Sequence, residues 1–328
     1  MAWRAAGVDL GHGYTKVSYR DDTGKLVMKA FRSVALRHNE SALAKASRDA
    51  GMQASIKTVT VDGAKFDVNV SENATLDRQL AEWNESSDFP QRAEYRALLG
   101  AALASTGFTH IDVLVVGLPV HTFQRYQAEI KDQIGQLVCW DGGQIAIGDT
   151  RVVPQGVGAM LTLRAEQEGG LSAQRTALLD VGQFTSDWIV SQNLVIDFER
   201  SGGRPGGASH IYRAIADGIS EDLGEGFDQL DQIELSLRTG EPLRVYGAPT
   251  KLERYMERAN QAAVQTVRAI QARLGSTHDL TFVLAGGGGH LYRNALGEVF
   301  PRNVVVELHD GRFRNVVGFV LFGEQSGA

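Results

Sequence analysis

The amino-acid sequence predicts an α/β protein built from two similar lobes, and three observations support this prediction. The chain has 328 residues, more than twice the common size of a single domain. Strand-like apolar runs alternate with segments of helical periodicity from residue 111 to residue 168. An acidic residue followed by a glycine turn occurs at Asp9 and again at Asp180. We therefore expect one lobe over residues 1–155 and a second over residues 156–328.

The first lobe is predicted to open with two hairpins. Residues 6–19 alternate between apolar and small or polar side chains around a glycine turn, and residues 55–70 have a similar pattern. The polar segment 37–51 between them is typical of a loop or a short surface helix. We expect residues of about 31–75 to form a small subdomain of this lobe.

Helices and buried strands alternate in the rest of the first lobe. Apolar residues from 77 to 105 have helical spacing that is interrupted near Pro90. Continuous apolar runs are typical of buried parallel strands. The predicted strands are residues 111–118 and 144–153, and the predicted helices are residues 122–134 and 156–168.

The second lobe is predicted to repeat the opening of the first. Three short strands are predicted over residues 175–180, 185–191 and 194–200. Later elements are helices over residues 209–223 and 251–274 and buried strands over residues 280–285 and 304–307. Residues of about 210–260 are expected to form a second small subdomain.

The composition excludes several classes of protein. Hydrophobic residues make up 43% and charged residues 22%, as in ordinary globular domains. The net charge is -6 and the chain has no basic run, which argues against a nucleic-acid-coating surface. No stretch approaches the roughly 20 apolar residues of a membrane helix, and the first seven residues do not resemble a signal peptide. We expect a cytoplasmic protein with no direct nucleic-acid or membrane partner.

Cys139 is the single cysteine of the chain, so disulfides cannot stabilise the fold. Its neighbours Leu137, Val138 and Trp140 are apolar. This context predicts a packed core thiol rather than a catalytic nucleophile.

The two acid-and-glycine turns could bind phosphate. In each, an acid near the end of an apolar strand precedes a glycine turn, at Asp9 with Gly11 and at Asp180 with Gly182. Backbone amides of such a turn can face an oxyanion, and the carboxylate can hold a hydrated cation. One such turn is common in hairpins, but two in register predict a phosphate chain held between the lobes.

Six segments, in this order, resemble motifs of the actin, Hsp70 and sugar-kinase superfamily, and more narrowly of the actin-like ParM/StbA plasmid-segregation proteins. They are residues 9–16 (first phosphate loop), 115–119 (a strand ending in Leu-Pro), 153–159 (first connecting segment), 180–187 (second phosphate loop), 284–289 (adenosine motif) and 315–323 (final connecting helix). The resemblance covers nearly the whole chain. It implies an actin-like, ribonuclease H-like fold of two lobes with a nucleotide in the cleft between them.

The resemblance also implies roles for individual residues. Asp9 and Asp180 would hold Mg²⁺ through water, and Asp180 would also be catalytic; the alternative for each is an acid that caps a turn. Gln155 would orient the attacking water, unless it only starts a helix. The nucleotide-binding positions would be Gly11, His12, Gly13, Tyr14, Thr15, Lys16, Gly182, Gln183, Phe184, Thr185, Gly206, Gly207, Gly286, Gly287 and Gly288.

Several of these assignments leave alternatives open. His12 departs from the family, which usually has a small residue there, and a plain turn histidine is favoured over an acid-base group. Asp187 would support the second loop or lie on a strand surface. Ser33 resembles a serine that the family places beside the cleft.

The function implied by the resemblance is that of a nucleoside triphosphatase. Such a protein would use ATP or GTP with Mg²⁺, assemble into filaments, and disassemble after hydrolysis. Its partners would be further copies of itself and a DNA-bound adaptor protein, and its cargo plasmid or other DNA. Two alternatives remain: a sugar- or acetate-kinase-like phosphotransferase, for which Gln155 cannot serve as the required general base, and a non-polymerising module switched by nucleotide.

Overall fold

The computed structural model describes residues 3–39, 41, 55–72, 88–166, 174–325 and 327. The chain divides into two compact units, Met1–Glu168 with Phe313–Ala328, and Gly169–Arg312. The interpretation of residues 37–51 and of residues 77–87 falls almost entirely outside the described residues.

A mixed sheet forms the centre of the first unit. The strands described in this unit are β1 (Ala5–Leu10), β2 (Tyr14–Arg20), β3 (Leu26–Arg32), β4 (Leu36–Arg37), β5 (Ile56–Val61), β6 (Ala64–Asn69), β7 (His110–Leu118), β8 (Leu137–Trp140) and β9 (Gly143–Pro154). The main sheet has the order β3-β2-β1-β7-β9-β8, and a second sheet has the order β4-β6-β5. Both predicted hairpins, β1–β2 and β5–β6, are confirmed.

Strand β7 lies at the middle of the main sheet and is parallel to both β1 and β9. Residues 113–118 are buried, which is why this strand reads as an apolar run. Three helices are described in this part of the chain: α1 (Ala93–Ala104), α2 (Val120–Ile134) and α3 (Val157–Glu166). The helical spacing after Pro90 is thus confirmed as α1, whose residues 97–104 are buried.

The expectation that Cys139 is a core thiol is wrong, because this residue is exposed. Cys139 lies on β8, an edge strand with β9 as its sheet neighbour. Side chains alternate between the two faces of a strand. Leu137 and Cys139 share the exposed face, whereas Val138 and Trp140 are partly buried against the core.

The second unit repeats the opening of the first. Its described strands are β10 (Arg175–Val181), β11 (Thr185–Gln192), β12 (Val195–Pro205), β13 (Leu243–Val245), β14 (Ala248–Thr250), β15 (Leu280–Ala285) and β16 (Val305–Glu307). The main sheet has the order β12-β11-β10-β15-β16. In both units an antiparallel hairpin is followed in the sheet by a parallel strand, β7 beside β1 and β15 beside β10. The predicted internal repeat is confirmed.

The helices described in the second unit are α4 (Ala208–Leu223), α5 (Leu230–Thr239), α6 (Met256–Leu274) and α7 (Arg293–Val299). The first and third agree with predicted helices, although residues 252–255 form a short 3-10 turn before α6 begins. Helix α5 was not predicted; it is followed by Gly240, whose left-handed φ of 74° suits glycine. No helix in the described ranges has the length and apolar character needed to cross a bilayer.

The last helix, α8 (Arg314–Glu324), packs in the first unit, so the observed division differs from the expected lobes. Helices α3 and α8 cross at Gly158 and Gly318, where an added Cβ on Gly318 would lie 1.8 Å from the Gly158 carbonyl oxygen. The Asn315 side chain accepts hydrogen bonds from the Gly156 and Ala159 amides at 2.9 and 3.2 Å. These contacts hold α3 and α8 together, and α8 in turn packs on β1, where a Cβ on Gly7 would lie 2.7 Å from Phe319 Cβ. Both helices therefore belong to the first unit, whereas the expected boundary at residue 155 assigned them to the second lobe.

Candidate functional site

The first candidate site, the Asp9 cluster, consists of Asp9, Lys16 and Gln155. Asp9 lies near the end of β1 and is only 2% exposed. Lys16 stands opposite it on β2, and the Lys16 ammonium donates to Asp9 Oδ2 at 2.8 Å. The Gln155 amide Nε2 donates to Asp9 Oδ1 at 2.5 Å. The structure thus brings three of the predicted residues together and gives each carboxylate oxygen of Asp9 a partner.

Gln155 reaches Asp9 because a glycine lies between them. The Gln155 backbone amide, just after β9, donates to the Leu118 carbonyl at the end of β7 at 2.7 Å. Strand β7 runs between β9 and β1, and its Gly117 is paired with Asp9. A Cβ at Gly117 would lie 3.2 Å from Gln155 Cγ and 2.6 Å from the Phe319 ring. A larger residue at position 117 would therefore displace the Gln155 side chain.

The turn between β1 and β2 is braced by Ser33, the residue that follows β3. The Ser33 hydroxyl donates to the Gly11 carbonyl at 2.5 Å, and the Ser33 amide donates to the Gly13 carbonyl at 3.1 Å. Thr15 is fully buried, and its hydroxyl lies 2.9 Å from that of Ser33. The Thr15 side chain therefore supports the turn from behind. The sequence pointed to Ser33 only through a short similarity.

The aromatic residues of the turn pack on protein neighbours. The ring centroids of His12 and Phe89 are 5.0 Å apart, and the Phe89 ring meets the Tyr95 ring edge-on at 5.3 Å. The guanidinium of Arg32 lies 4.4 Å from the centroid of the Tyr14 ring. These contacts favour the turn interpretation of His12 over an acid-base role and make the backbone the part of the turn suited to bind a ligand.

Tyr95 places a neutral hydroxyl near the Asp9 cluster. The side chain is 1% exposed, and its hydroxyl has no hydrogen-bond partner among the described residues. Burial raises the pKa of Tyr95, and the negative charge of Asp9 raises it further. A buried hydroxyl without a partner destabilises the fold by about 1–3 kcal/mol.

The second candidate site lies near the end of β10, where Asp180 is 9% exposed. Asp187 stands directly opposite Asp180 on β11 and is 3% exposed. It occupies the position that Lys16 has in the first hairpin. The two hairpins therefore carry opposite charges at equivalent positions, and two facing carboxylates favour a cation beside them.

The register also corrects the expected match between the two turns. Leu10 is paired with Thr15, and Val181 is paired with Ser186, so Ser186 rather than Thr185 is the counterpart of Thr15. The Ser186 hydroxyl is fully buried and donates to the Gly206 carbonyl at 2.8 Å. The sequence match failed because the threonines follow their acids at spacings that differ by one residue.

Three glycine segments converge around Asp180. Gly286 has a φ of +80°, and a Cβ there would lie 2.5 Å from Asp180 Oδ1. A Cβ at Gly207 would lie 2.5 Å from the Gly182 carbonyl, and one at Gly288 would lie 2.9 Å from a Val181 methyl. Packing therefore explains these three glycines. Gly287 is exposed, and its nearest neighbour would be 3.7 Å away, so packing does not require a glycine there.

The N-terminus of α4 faces the same turn. The Ser209 amide donates to the Gln183 carbonyl at 2.8 Å, and the Phe184 carbonyl accepts from the amides of Gly206 and Gly207 at 2.8 and 3.1 Å. Two buried polar atoms here, Gln183 Nε2 and Ser209 Oγ, have no hydrogen-bond partner among the described residues. Helix N-termini attract anions. The arrangement suits a polar, negatively charged ligand.

Tyr292 supports this turn and was missed by the sequence analysis. Its hydroxyl is fully buried and donates to the Gly206 carbonyl at 2.9 Å. Burial raises the pKa of Tyr292, which keeps this hydroxyl protonated as a donor. The signal that could have identified it is an aromatic residue shortly after the glycine run 286–289.

The described residues contain no group of three or more histidine, cysteine, aspartate or glutamate side chains arranged to hold a metal ion. Mg²⁺ usually keeps several waters and binds one or two carboxylates together with phosphate oxygens. The pair Asp180 and Asp187 fits a hydrated ion of this kind, whereas a cage made of protein ligands alone does not fit.

Comparison with known proteins identifies both units. Residues 7–158 match the family model of the N-terminal domain of actin-like proteins, and residues 178–298 match that of the C-terminal domain of the archaeal MreB-like actin homologues. No curated protein sequence matches this chain.

Solved structures of actin-like proteins have the same fold. The archaeal actin homologue Ta0583 is 21% identical, with a TM-score of 0.76 over 98% of this chain and 99% of the other. The ParM of a 15-stranded filament from Clostridium botulinum is 20% identical, with a TM-score of 0.76 over 99% and 100%. A complex of Ta0583 with ADP has a TM-score of 0.72 at 21% identity, over 98% and 99%. The predicted actin-like α/β fold is confirmed.

Proposed function

This chain belongs to the actin-like proteins, and we propose that it binds and hydrolyses a nucleoside triphosphate, ATP or GTP, together with Mg²⁺. The observation that carries the proposal is the duplicated hairpin. Asp9 and Asp180 occupy equivalent positions before glycine turns, but Lys16 faces the first and Asp187 faces the second. One hairpin thus offers a cation and the other offers paired carboxylates.

The Asp9 cluster would place the water that attacks the terminal phosphate. Gln155 is held at a fixed position by its backbone bond to the end of β7 and by its amide bond to Asp9. Hydrolysis of a phosphoanhydride depends more on positioning and charge stabilisation than on a strong base, so an amide suffices. The Lys16 ammonium would donate to the phosphate oxygens, and its ion pair with Asp9 would weaken when it does so.

The second hairpin would bind the phosphate chain and its cation. The backbone of the turn at residues 182–185 and the N-terminus of α4 provide donors for anionic oxygens. Asp180 and Asp187 would hold the waters of a hydrated cation. Mg²⁺, when bound, neutralises charge that develops on the phosphate oxygens.

We further propose that the triphosphate-bound protein assembles into filaments that move plasmid or other DNA through an adaptor protein. Family membership and the likeness to a filament-forming ParM support this proposal, although at 20% identity that likeness concerns the fold. The same proposal places the protein in the cytoplasm, where nucleoside triphosphates are available.

Phosphate release from the purified protein with Mg²⁺ and ATP or GTP tests the catalytic part, with light scattering recorded in parallel. Asp180→Ala should abolish phosphate release, and Gln155→Ala should slow it while nucleotide binding and assembly persist. Asp22→Ala is the control, because the Asp22 carboxylate is 83% exposed and its ion pair with Arg4 lies at the surface.

The outcomes separate the alternatives. Scattering that rises with triphosphate and decays as phosphate is released supports the filament proposal. Hydrolysis without scattering favours a nucleotide-switched module, and phosphate transfer to a small acceptor favours a kinase. A wild-type rate for Gln155→Ala contradicts the water-positioning role.

A further inference from the structure

Asp9 is a buried carboxylate that depends on its two partners. Its side chain is 2% exposed, and the Lys16 ammonium and the Gln155 amide each donate to one of its oxygens. Lys16 supplies the positive charge of the Asp9 cluster. A buried carboxylate that loses its cation is left uncompensated, which is strongly destabilising. If Lys16 turns away from Asp9, another donor has to take its place.

The proposed function gives Lys16 a reason to turn away. A lysine ammonium is a point charge with rotatable donors on a flexible stem, so it can move between neighbouring anions. The Lys16 side chain is 13% exposed, whereas that of Asp9 is 2% exposed. The ammonium therefore has access to an incoming anion, while the carboxylate stays in the interior of the first unit.

Tyr95 carries a donor that has no acceptor. Its side chain is 1% exposed, and its hydroxyl has no hydrogen-bond partner among the described residues. The large majority of buried polar side-chain atoms have a partner, so such an exception needs an explanation. The hydroxyl stays protonated, because burial and the negative charge of Asp9 both raise the pKa of Tyr95. It is thus a buried donor that feels the charge of Asp9.

Packing holds Tyr95 close to the strand that carries Asp9. Helix α1, whose first turn contains Tyr95, packs on β1 and β2. Tyr95 and Leu10, the residue after Asp9, belong to the same buried cluster. The Tyr95 ring is fixed by its edge-on contact with Phe89, at 5.3 Å between ring centroids, and the Phe89 ring lies 5.0 Å from that of His12. The hydroxyl therefore has a defined position near the end of β1.

We propose that the Tyr95 hydroxyl is a second donor for Asp9, which donates to the carboxylate when Lys16 turns to the phosphates of a bound nucleotide. The inference rests on the proposed function, which supplies the reason for Lys16 to move. Tyr95 is then a positioning residue, because it acts through Asp9. By holding the carboxylate in place, it preserves the bond from the Gln155 amide to Asp9, and with it the position of Gln155.

Removal of the Lys16 ammonium imitates its departure and needs no nucleotide. In the Lys16→Met background, Tyr95→Phe should raise the equilibrium constant of unfolding by about 10- to 100-fold, as expected for loss of a hydrogen bond to a charged group. In the wild-type background the same change should have little effect. Urea unfolding of the wild type, the two single variants and the double variant measures this coupling. An equally small effect of Tyr95→Phe in both backgrounds would overturn the proposal.

Tyr126→Phe is the matched control. The Tyr126 hydroxyl is also buried without a partner among the described residues, but Tyr126 lies on α2, which packs on β7 and β9. Its effect should be the same in the wild-type and Lys16→Met backgrounds to within about threefold. If both tyrosines depended equally on Lys16, the cause would be a general loosening of the core, and the proposal would fail.

Nucleotide affinity tests the exchange in a protein that keeps Lys16, and it applies even if Lys16→Met does not fold. Tyr95→Phe should weaken binding of a slowly hydrolysed ATP or GTP analogue with Mg²⁺ by about 10- to 100-fold in calorimetric titration, because the hydroxyl has an acceptor only in the bound state. Tyr126→Phe should stay within about threefold of the wild type. Unchanged affinity in Tyr95→Phe contradicts the proposal.

The two experiments separate this inference from the proposed function. Coupling between Tyr95 and Lys16 in a protein that binds no nucleotide would leave the second donor standing while the proposed function fails. Nucleotide binding and hydrolysis in a protein without this coupling would leave the proposed function standing while the second donor fails.

Discussion

Gln155→Glu should destabilise the first unit in a pH-dependent manner, because it places a second carboxyl group against Asp9. In the wild-type protein the Gln155 amide donates to Asp9 Oδ1 at 2.5 Å, and the two residues are 8% and 2% exposed. The introduced glutamate must either lose this bond and ionise beside a buried carboxylate, or stay protonated and donate to it.

These two alternatives determine how much free energy of unfolding the Gln155→Glu variant should lose. Loss of a hydrogen bond to a charged group costs about 1.5–3 kcal/mol, before any repulsion is counted. Keeping a glutamate of ordinary pKa of about 4.3 protonated at pH 7 costs about 1.4 kcal/mol for each pH unit, or about 3.7 kcal/mol in total. The fold should therefore lose about 1.5–4 kcal/mol at pH 7.

The sign of the pH dependence follows from the raised pKa of the introduced glutamate in the folded state. Its favourable, protonated contact is fully present below a pH of about 4.3 and is lost as the pH rises through the folded-state pKa. The difference in free energy of unfolding between wild type and variant should be small near pH 4.3. It should grow by up to about 1.4 kcal/mol for each pH unit above that.

Urea unfolding of both proteins between pH 4.5 and 8 measures this difference. Gln155→Met is the matched control, because it removes the donor without adding a titratable group, and its loss should be nearly independent of pH. A loss in Gln155→Glu that is equally flat with pH would refute the contact between Gln155 and Asp9.

Two further predictions concern packing and buried hydroxyls. Gly318→Ala should cost about 3 kcal/mol in the free energy of unfolding, because its Cβ would lie 1.8 Å from the Gly158 carbonyl oxygen. Gly297→Ala is the control, because a Cβ there would have no atom within 4 Å, and this change should stabilise the fold by about 0.5–1 kcal/mol. Equal effects of the two changes in urea unfolding would contradict the close crossing. Tyr95→Phe, with Tyr126→Phe as its control, should leave thermal stability unchanged or raised by up to about 1 kcal/mol, because both hydroxyls are buried without a partner among the described residues. A loss above about 1 kcal/mol would show that the hydroxyl has a partner.

Local sequence patterns predicted many of the strands and both glycine-turn hairpins. The hairpins around Gly11 and Gly182 and the buried strand at residues 111–118 follow from short-range alternation, apolar runs and glycine turns, so they can be predicted from sequence. The repeat of an acid and a glycine turn predicted equivalent hairpins in two units, and this is how the structure arranges them.

Contacts between residues far apart in the sequence could not be predicted from local patterns. Helix α8 belongs to the first unit because it packs on β1, where Gly7 and Phe319, 312 residues apart in sequence, are in contact. Ser33 and Tyr292 brace the two turns through hydrogen bonds from distant elements. Cys139 is exposed because its strand lies at an edge, which apolar neighbours in sequence do not indicate.

The candidate site shows the same limit at finer detail. Glycine and acid positions identified the region, but only the register revealed that Asp187 takes the position of Lys16 and that Ser186 takes that of Thr15. The threonine of each turn follows its acid at a different spacing, six residues from Asp9 to Thr15 but five from Asp180 to Thr185. A shift of one residue moves a side chain to the other face of a strand.

Equilibrium binding of nucleotide is the measurement that tests the central claim most directly. Calorimetric titration of the purified protein with a slowly hydrolysed ATP or GTP analogue, with and without Mg²⁺, should give one site per chain. Its affinity should fall when Mg²⁺ is removed, and again in Asp180→Ala. Absence of binding in the wild-type protein, or binding that neither Mg²⁺ nor Asp180 affects, would contradict the account.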